Sequence, residues 1–347
     1  MNLEFSEEQR LFADALGRFL QNEYSFERRQ ALVAAREWGS PTIWQGLAEL
    51  GCFMLSVPEA AGGLGGRAVE IGILGRALGR HLVIEPVRSA VVAGVLLANA
   101  QGTDADLEGL MAGTDRYAVM EPHLTIRGKS IIPGAFGANG ILVFDGGLSV
   151  ISCDADLRAV QLLDDSMALE GLIDPQGARC LSTGLHWNAA CSTAEAFSCI
   201  FLFFEALGSI ETALADTAAY VLERRQFDKP IGRFQVIQHR VAEMAVAAKE
   251  AEAAALLAAL TFDAAGPSLA SDRAIAAATT RIAAVAEQVG DAAVQLHGGM
   301  GVSNELSISA HFRKLQAFRF LSRPVDKVAE QIVTTRAHHH SAVLLEA

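Results

Sequence analysis

Glu223-Arg224-Arg225-Gln226-Phe227-Asp228-Lys229-Pro230-Ile231-Gly232-Arg233-Phe234-Gln235 decides the reading of this chain, because one apolar helical stripe ends on its near side and another begins on its far side. Upstream, Leu207, Ile210, Leu214, Ala218 and Val221 recur at three- and four-residue steps; downstream, Phe234, Ile237, Val241, Met244 and Ala248 do the same. Each set lies on one face of a helix, so the spacing predicts two long helices joined by a turn through Pro230 and Gly232. Helical character begins at about Thr193 and continues through Ser271 to Leu296 and beyond Asn304. That is about four helices, enough to close a bundle core.

Working outward, the pattern changes upstream of the bundle. From Tyr117 to about Leu185 short β-type runs appear, such as Ile141 to Phe144 and Leu148 to Ile151, with Asp145-Gly146-Gly147 between them as a hairpin signal. Residues 1 to about 115 read as helices: Ser6-Glu7-Glu8-Gln9 resembles a capped helix start, and Thr42 to Leu50 stops at Gly51. The Gly-rich segment Pro58 to Gly66 has neither a preceding strand nor a Lys, so it reads as a plain turn. The expected fold is mainly α with a small β domain: an N-terminal helical domain over 1–115, a shortened β-barrel-like middle domain over 116–190, and a C-terminal four-helix bundle over 191–347.

Composition excludes several classes. The 347 residues are 51% apolar and 20% charged, which can bury large cores and is too apolar for disorder. A net charge of -12 argues against a phosphate-tracking nucleic-acid binder, which needs clustered excess cations. Five cysteines without a C-x-x-C pair indicate neither a disulfide framework nor a zinc site, and a reducing cytoplasm fits them best. The opening MNLEFSEEQRLF is no signal peptide, and the longest apolar runs fall well short of the about 20 residues a membrane span needs. His338-His339-His340 reads as an incidental run near the C-terminus, with no metal site expected.

Two polar places interrupt the helical stripes. Taken alone, the cationic cluster at Glu223 to Arg233 reads first as capping of a helix C-terminus. Gln295-Leu296-His297-Gly298-Gly299-Met300-Gly301 allows close backbone approach to a ligand, and lacks the order and the strand of a Rossmann fingerprint.

In order, these segments resemble the acyl-CoA dehydrogenase family. The R-x-x-F run at Arg224 to Phe227, the Phe234-Gln235 pair and the Q-x-x-G-G run at Gln295 to Gly299 match its motifs, as do Ser6 to Gln9, Trp44 to Gly51 and Pro58 to Gly63. The resemblance spans essentially the whole chain. It implies the acyl-CoA dehydrogenase fold and an FAD-dependent α,β-dehydrogenation of an acyl-CoA, with electrons passed to an electron-transferring flavoprotein. It also implies that Arg224, Phe227, Gln235, Gln295, Gly298 and Gly299 are cofactor-binding residues, given to the diphosphate and adenosine end of a neighbouring subunit's FAD.

Three departures from the family point one way. Stepping from the Q-x-x-G-G run to the family's usual base position reaches Leu321-Ser322-Arg323-Pro324, with Ser322 where a glutamate is expected; the alternative base position, on the first bundle helix, holds Ser198. A serine hydroxyl is too weak a base for a thioester α proton. Glu195 is one helical turn early and Glu205 two turns late; Glu205, abutting Ile200 to Phe204, is a paired interior acid or the polar edge of the helix, and the edge is favoured. It is the runner-up base. The family's T-E-P-x-x-G-S-D loop is reduced to Met120-Glu121-Pro122, followed at once by His123-Leu124-Thr125-Ile126-Arg127.

The resemblance is therefore closest to the short subunit of heteromeric enzymes acting on CoA thioesters of steroid side chains, with a longer homologue as partner supplying the base. A homo-oligomeric dehydrogenase using Glu205 and a non-catalytic acyl-CoA-binding scaffold are the alternatives. Arg313 fits a bracing position in the last helix.

Overall fold

The protein is described by a computed structural model covering residues 5–144, 148–151, 157–173, 179–182 and 185–322. The Asp145-Gly146-Gly147 turn, Arg323, Pro324 and the histidine run at 338–340 lie outside the described residues.

Six helices come first: α1 (Glu7–Glu23), α2 (Phe26–Ala35), α3 (Pro41–Glu49), α4 (Ala68–Arg80), α5 (Val87–Ala98) and α6 (Asp104–Ala112). Local chemistry sets the starts of α1 and α3. Ser6 accepts from the Gln9 N–H while the Gln9 side chain accepts from the Ser6 N–H, a reciprocal cap on α1. Ser40 caps α3 ahead of Pro41, whose missing N–H costs nothing in the first turn.

Among the described residues eight strands follow, β1 (Tyr117–Val119), β2 (Thr125–Ile126), β3 (Lys129–Pro133), β4 (Gly140–Phe144), β5 (Leu148–Ile151), β6 (Arg158–Gln161), β7 (Met167–Gly171) and β8 (Arg179–Ser182). They form two four-stranded sheets, ordered β1-β4-β5-β8 and β2-β3-β7-β6. β4 and β5 pair antiparallel, Phe144 opposite Leu148, and β1 runs parallel to β4. Ala118, Ile132, Ile141, Val143, Ile151 and Leu169, drawn from both sheets, share an apolar core of their own.

The bundle comprises α7 (Leu185–Glu223), α8 (Gln235–Ala265), α9 (Leu269–His297) and α10 (Ser307–Leu321). Helical structure thus sets in at Leu185, earlier than Thr193, and α7 runs about 58 Å at 1.5 Å per residue. By length and composition α7 could cross a membrane, which counting uninterrupted apolar runs does not detect; here 78% of its apolar window is buried against the other helices.

Glycines bring α4 and α7 together. A Cβ at Gly79 would come 1.9 Å from the Glu205 carbonyl oxygen, and one at Gly208 would come 2.1 Å from that of Arg76. Only glycine permits backbones this close, so the N-terminal helices and the bundle share one seam and one continuous apolar core.

Between α7 and α8 the turn differs from the expected one. Arg225–Gln226 (β9) and Lys229–Pro230 (β10) form a two-stranded hairpin, with Phe227 and Asp228 at its tip. Both tip residues have positive φ, 51° and 60°, as a two-residue primed turn requires. Pro230 instead ends β10 and precedes the short 3-10 turn Ile231–Arg233, which holds Gly232 and leads into α8.

Candidate functional site

The cofactor-type residues gather at one end of the bundle. Tyr220, near the end of α7, stacks on His297, the last residue of α9, with ring centroids 4.3 Å apart. This contact brings Arg224, one turn beyond Tyr220, to the same end as Gly298 and Gly299. Arg224 and the hairpin residues through Asp228 are exposed. Phe227 is 83% exposed, held on a left-handed backbone and touching Phe234 edge-on.

The three glycines after His297 differ in what they are for. A Cβ at Gly301 would meet the Val294 carbonyl oxygen at 2.6 Å, so the chain's own packing requires that glycine. At Gly298 and Gly299 a Cβ would meet nothing within 4 Å; only the positive φ of Gly298, 61°, is a local demand. The space over them is open to a group from outside the chain. Gln235 opens α8 and is exposed, while Gln295 lines a groove of about 340 Å³ with Arg240, Glu243 and Gln288. An exposed guanidinium at the same end of the bundle as an uncovered glycine backbone suits a diphosphate: charge-assisted donors with no side chain in the way. These residues therefore fit the diphosphate end of FAD.

Ser198 and Ser322 meet elsewhere, although 124 residues separate them. Both line one cavity of about 50 Å³, walled by Val92 of α5, Val119 of β1, Pro122, Ala194 and Leu202 of α7, and Leu321 of α10. The Ser322 hydroxyl is buried and has no hydrogen-bond partner among the described residues. Ser198 Oγ accepts from Arg88 Nη1 at 2.8 Å, and the same nitrogen donates to Glu121 Oε1. His123 Nε2 is 3.1 Å from the Leu321 carbonyl oxygen and 3.7 Å from Glu121 Oε2.

Sequence reasoning passed over Arg88 and assigned nothing to Glu121 or His123. One signal was available: Arg88 is the only charge in the apolar helix VRSAVVAGVLLA. Glu195, set aside as one turn early, lines this cavity too, one turn from Ser198 on the same face of α7.

Glu205 does not reach that cavity. It is an interior acid rather than a helix edge: its Oε1 accepts from Lys314 Nζ at 2.9 Å, with both side chains largely buried. It faces a second cavity of about 60 Å³, lined also by Arg88, Asp164 and Lys314. Lys314 is 3.8 Å from Asp164, and the adjoining Asp165 carboxylate accepts from both Arg29 at 2.9 Å and Arg313 at 2.6 Å. The turn between β6 and β7 is thus pinned to α2 and α10, and Arg313 acts as a brace.

Burial also shapes the titration of this region. Desolvation pushes the Glu85 carboxyl up, and its Oε2 has no partner among the described residues. Burial, with Arg29, Lys314 and His81 adding, lowers His311 to about 3; its Nδ1 is 2.7 Å from Ser209 Oγ.

The family model "Acyl-CoA dehydrogenase, N-terminal domain" matches residues 6–105, and "Acyl-CoA dehydrogenase, C-terminal domain" matches 190–322. The acyl-CoA dehydrogenase IpdE2 of Mycolicibacterium smegmatis is 27% identical over 316 residues, 89% of this chain and 92% of the relative. Among solved structures, a variant of the Tcur3481-Tcur3483 steroid ACAD superposes with a TM-score of 0.81 at 23% identity, covering 96% of this chain and 99% of that one. The ChsE4-ChsE5 complex from Mycobacterium tuberculosis does so with a TM-score of 0.81 at 19% identity, covering 97% and 99%. At those identities the superpositions establish the shared fold. The two family models together account for both helical parts of the molecule, and the chain belongs to the acyl-CoA dehydrogenase family.

Proposed function

We propose that this chain is the short subunit of a heteromeric FAD-dependent acyl-CoA dehydrogenase, giving FAD contacts to a longer partner that carries the catalytic base. The family binds FAD, and bound flavin supplies the hydride acceptor for the Cα–Cβ bond. This chain's share is to bind and orient. Arg224 and the open backbone at Gly298 and Gly299 neutralise and cradle the diphosphate of the partner's cofactor; Phe227, Gln235 and Gln295 flank it.

The observation that carries the reading is that Ser198 and Ser322, the two positions where the family resemblance puts a base, line one cavity and neither is a carboxylate. A relative described as a steroid ACAD and another solved as a two-component complex favour a bulky, steroid-side-chain-like acyl-CoA and a paired assembly. An electron-transferring flavoprotein is the expected acceptor. A reducing cytoplasm suits the free thiols Cys52 and Cys191.

A second reading has one observation in its favour: Glu195 lines the cavity, so a homo-oligomer using it as base is the rival. Purifying the chain alone, and co-expressed with a longer acyl-CoA dehydrogenase homologue as candidate partner, separates the two. We expect a colourless protein without turnover from the chain alone and a yellow, active enzyme from the pair. Flavin and turnover in the isolated chain, lost in Glu195→Gln, would replace the first reading by the second.

A further inference from the structure

The cavity shared by Ser198 and Ser322 is where the α carbon of an acyl thioester belongs, since two independent base positions converge on it. It is nevertheless too small for one. Ligand pockets run to about 300–1,000 Å³, and this one holds about 50 Å³, little more than a water molecule or two.

Its filling is polar and specific. Glu121, from the loop after β1, lines this cavity, and Arg88, on the first turn of α5, lines the second one behind it; their ion pair, 11% and 15% exposed, stands between the two and is tied to α7 through Ser198 Oγ. Beyond Arg88 lies the second cavity of about 60 Å³, and Leu202 and Leu321 line both. The guanidinium thus divides what would otherwise be one longer slot between α5, α7 and α10. Arg88 needs a counter-charge at this depth and the chain supplies its own. No acyl chain is required to complete the packing.

We propose that Arg88, Glu121 and Ser198 form a polar plug that closes this chain's own acyl slot. The proposal deepens the composite-enzyme reading and rests on it for its purpose: substrate is directed to the partner's slot, and this chain's half of the fold is spent on cofactor contacts and support. The plug itself is a property of this chain and is testable on it.

Two double variants separate space from chemistry. Arg88→Ala with Glu121→Ala removes the plug and its volume, joining the two cavities. Arg88→Met with Glu121→Leu removes the charges and keeps the volume. Thermal melts establish that each is folded, and the apolar pair guards against loss of fold, because replacing a buried ion pair by hydrophobic residues of similar size is commonly tolerated.

The probe is S-butyl-CoA, a thioether that cannot be dehydrogenated as an acyl thioester is, titrated calorimetrically into the purified full-length chain. The wild-type chain and the Met/Leu variant bind weakly or not at all. The Ala/Ala variant binds at least about tenfold more tightly than wild type. Tight binding by the wild-type chain, or no gain in a folded Ala/Ala variant, overturns the plug. Flavin content tests the composite-enzyme reading separately: an isolated chain carrying stoichiometric FAD that still refuses the probe breaks that reading and leaves the plug standing.

Discussion

Arg224 and Arg88 are the same residue in opposite circumstances, and they define two contrasting regions of the bundle. Arg224 stands exposed at the end of α7, at the same end of the bundle as two glycines whose missing side chains leave open space. Arg88 lies between α5 and α7 with Glu121 and Ser198 already bound to it. At the surface a guanidinium stays hydrated and costs little to keep available for a phosphate; in the interior it must be neutralised at once, and the neutralising group occupies the space a ligand would take. On the proposed reading the first region is completed from outside. The other is complete already.

The contrast can be broken from the inside first. Lys314→Met leaves Glu205 buried without its cation, and breaking such a pair costs about 3–5 kcal/mol. A urea titration should show a lower midpoint at unchanged slope. A loss below about 1 kcal/mol would show that water reaches the pair and that this interior is not closed.

On the outer face the same kind of change should be silent for stability. Arg224→Ala lies on an exposed turn, so the chain alone should melt within about 0.5 kcal/mol of wild type. FAD retention by the assembled pair should fall about tenfold to a hundredfold, the worth of one charge-assisted contact of about 1.5–3 kcal/mol. A destabilised chain with unchanged flavin affinity would return Arg224 to simple helix capping.

How much of this was legible in the chain depended on whether the signal was local. The stripes through Leu207 to Val221 and Phe234 to Ala248 announced two bundle helices because packing repeats with the helical period. The hairpin tip was missed because Phe227 and Asp228 hold the left-handed region without a glycine to mark it. The seam at Gly79 and Gly208 needs its partner helix to be recognised. The plug joins residues 33 and 110 positions apart, and no sequence window contains it. Glu205 was misread for the same reason: its partner lies on α10.

Acid should reveal the closed region by titration. His311 is lowered from 6.5 to about 3 by burial, so the unfolded chain takes up a proton below about pH 6.5 while the native one does not. Its contribution to stability is therefore present above 6.5 and lost as pH falls toward 3. The melting temperature of wild type should drop between pH 7 and 4, and His311→Gln, which cannot titrate, should show a shallower drop. Equal slopes would show that other groups govern the acid limb.

The smallest effect belongs to the hairpin tip. Phe227→Gly relieves a left-handed conformation costing a non-glycine residue about 1–2 kcal/mol and removes a ring that is mostly exposed. The isolated chain should be as stable as wild type or slightly more so by chemical denaturation. A clear loss would mean that the contact with Phe234 supports the turn, rather than the ring serving a partner.

What we propose is an asymmetry: one region lent to a partner's cofactor, the other closed to substrate. Its most direct test is the ratio of FAD to protein in the purified pair, from flavin absorbance after denaturation against quantitative amino-acid analysis. One FAD for each pair of chains is expected. Two FAD per pair would show that this chain holds a flavin of its own, and would contradict it.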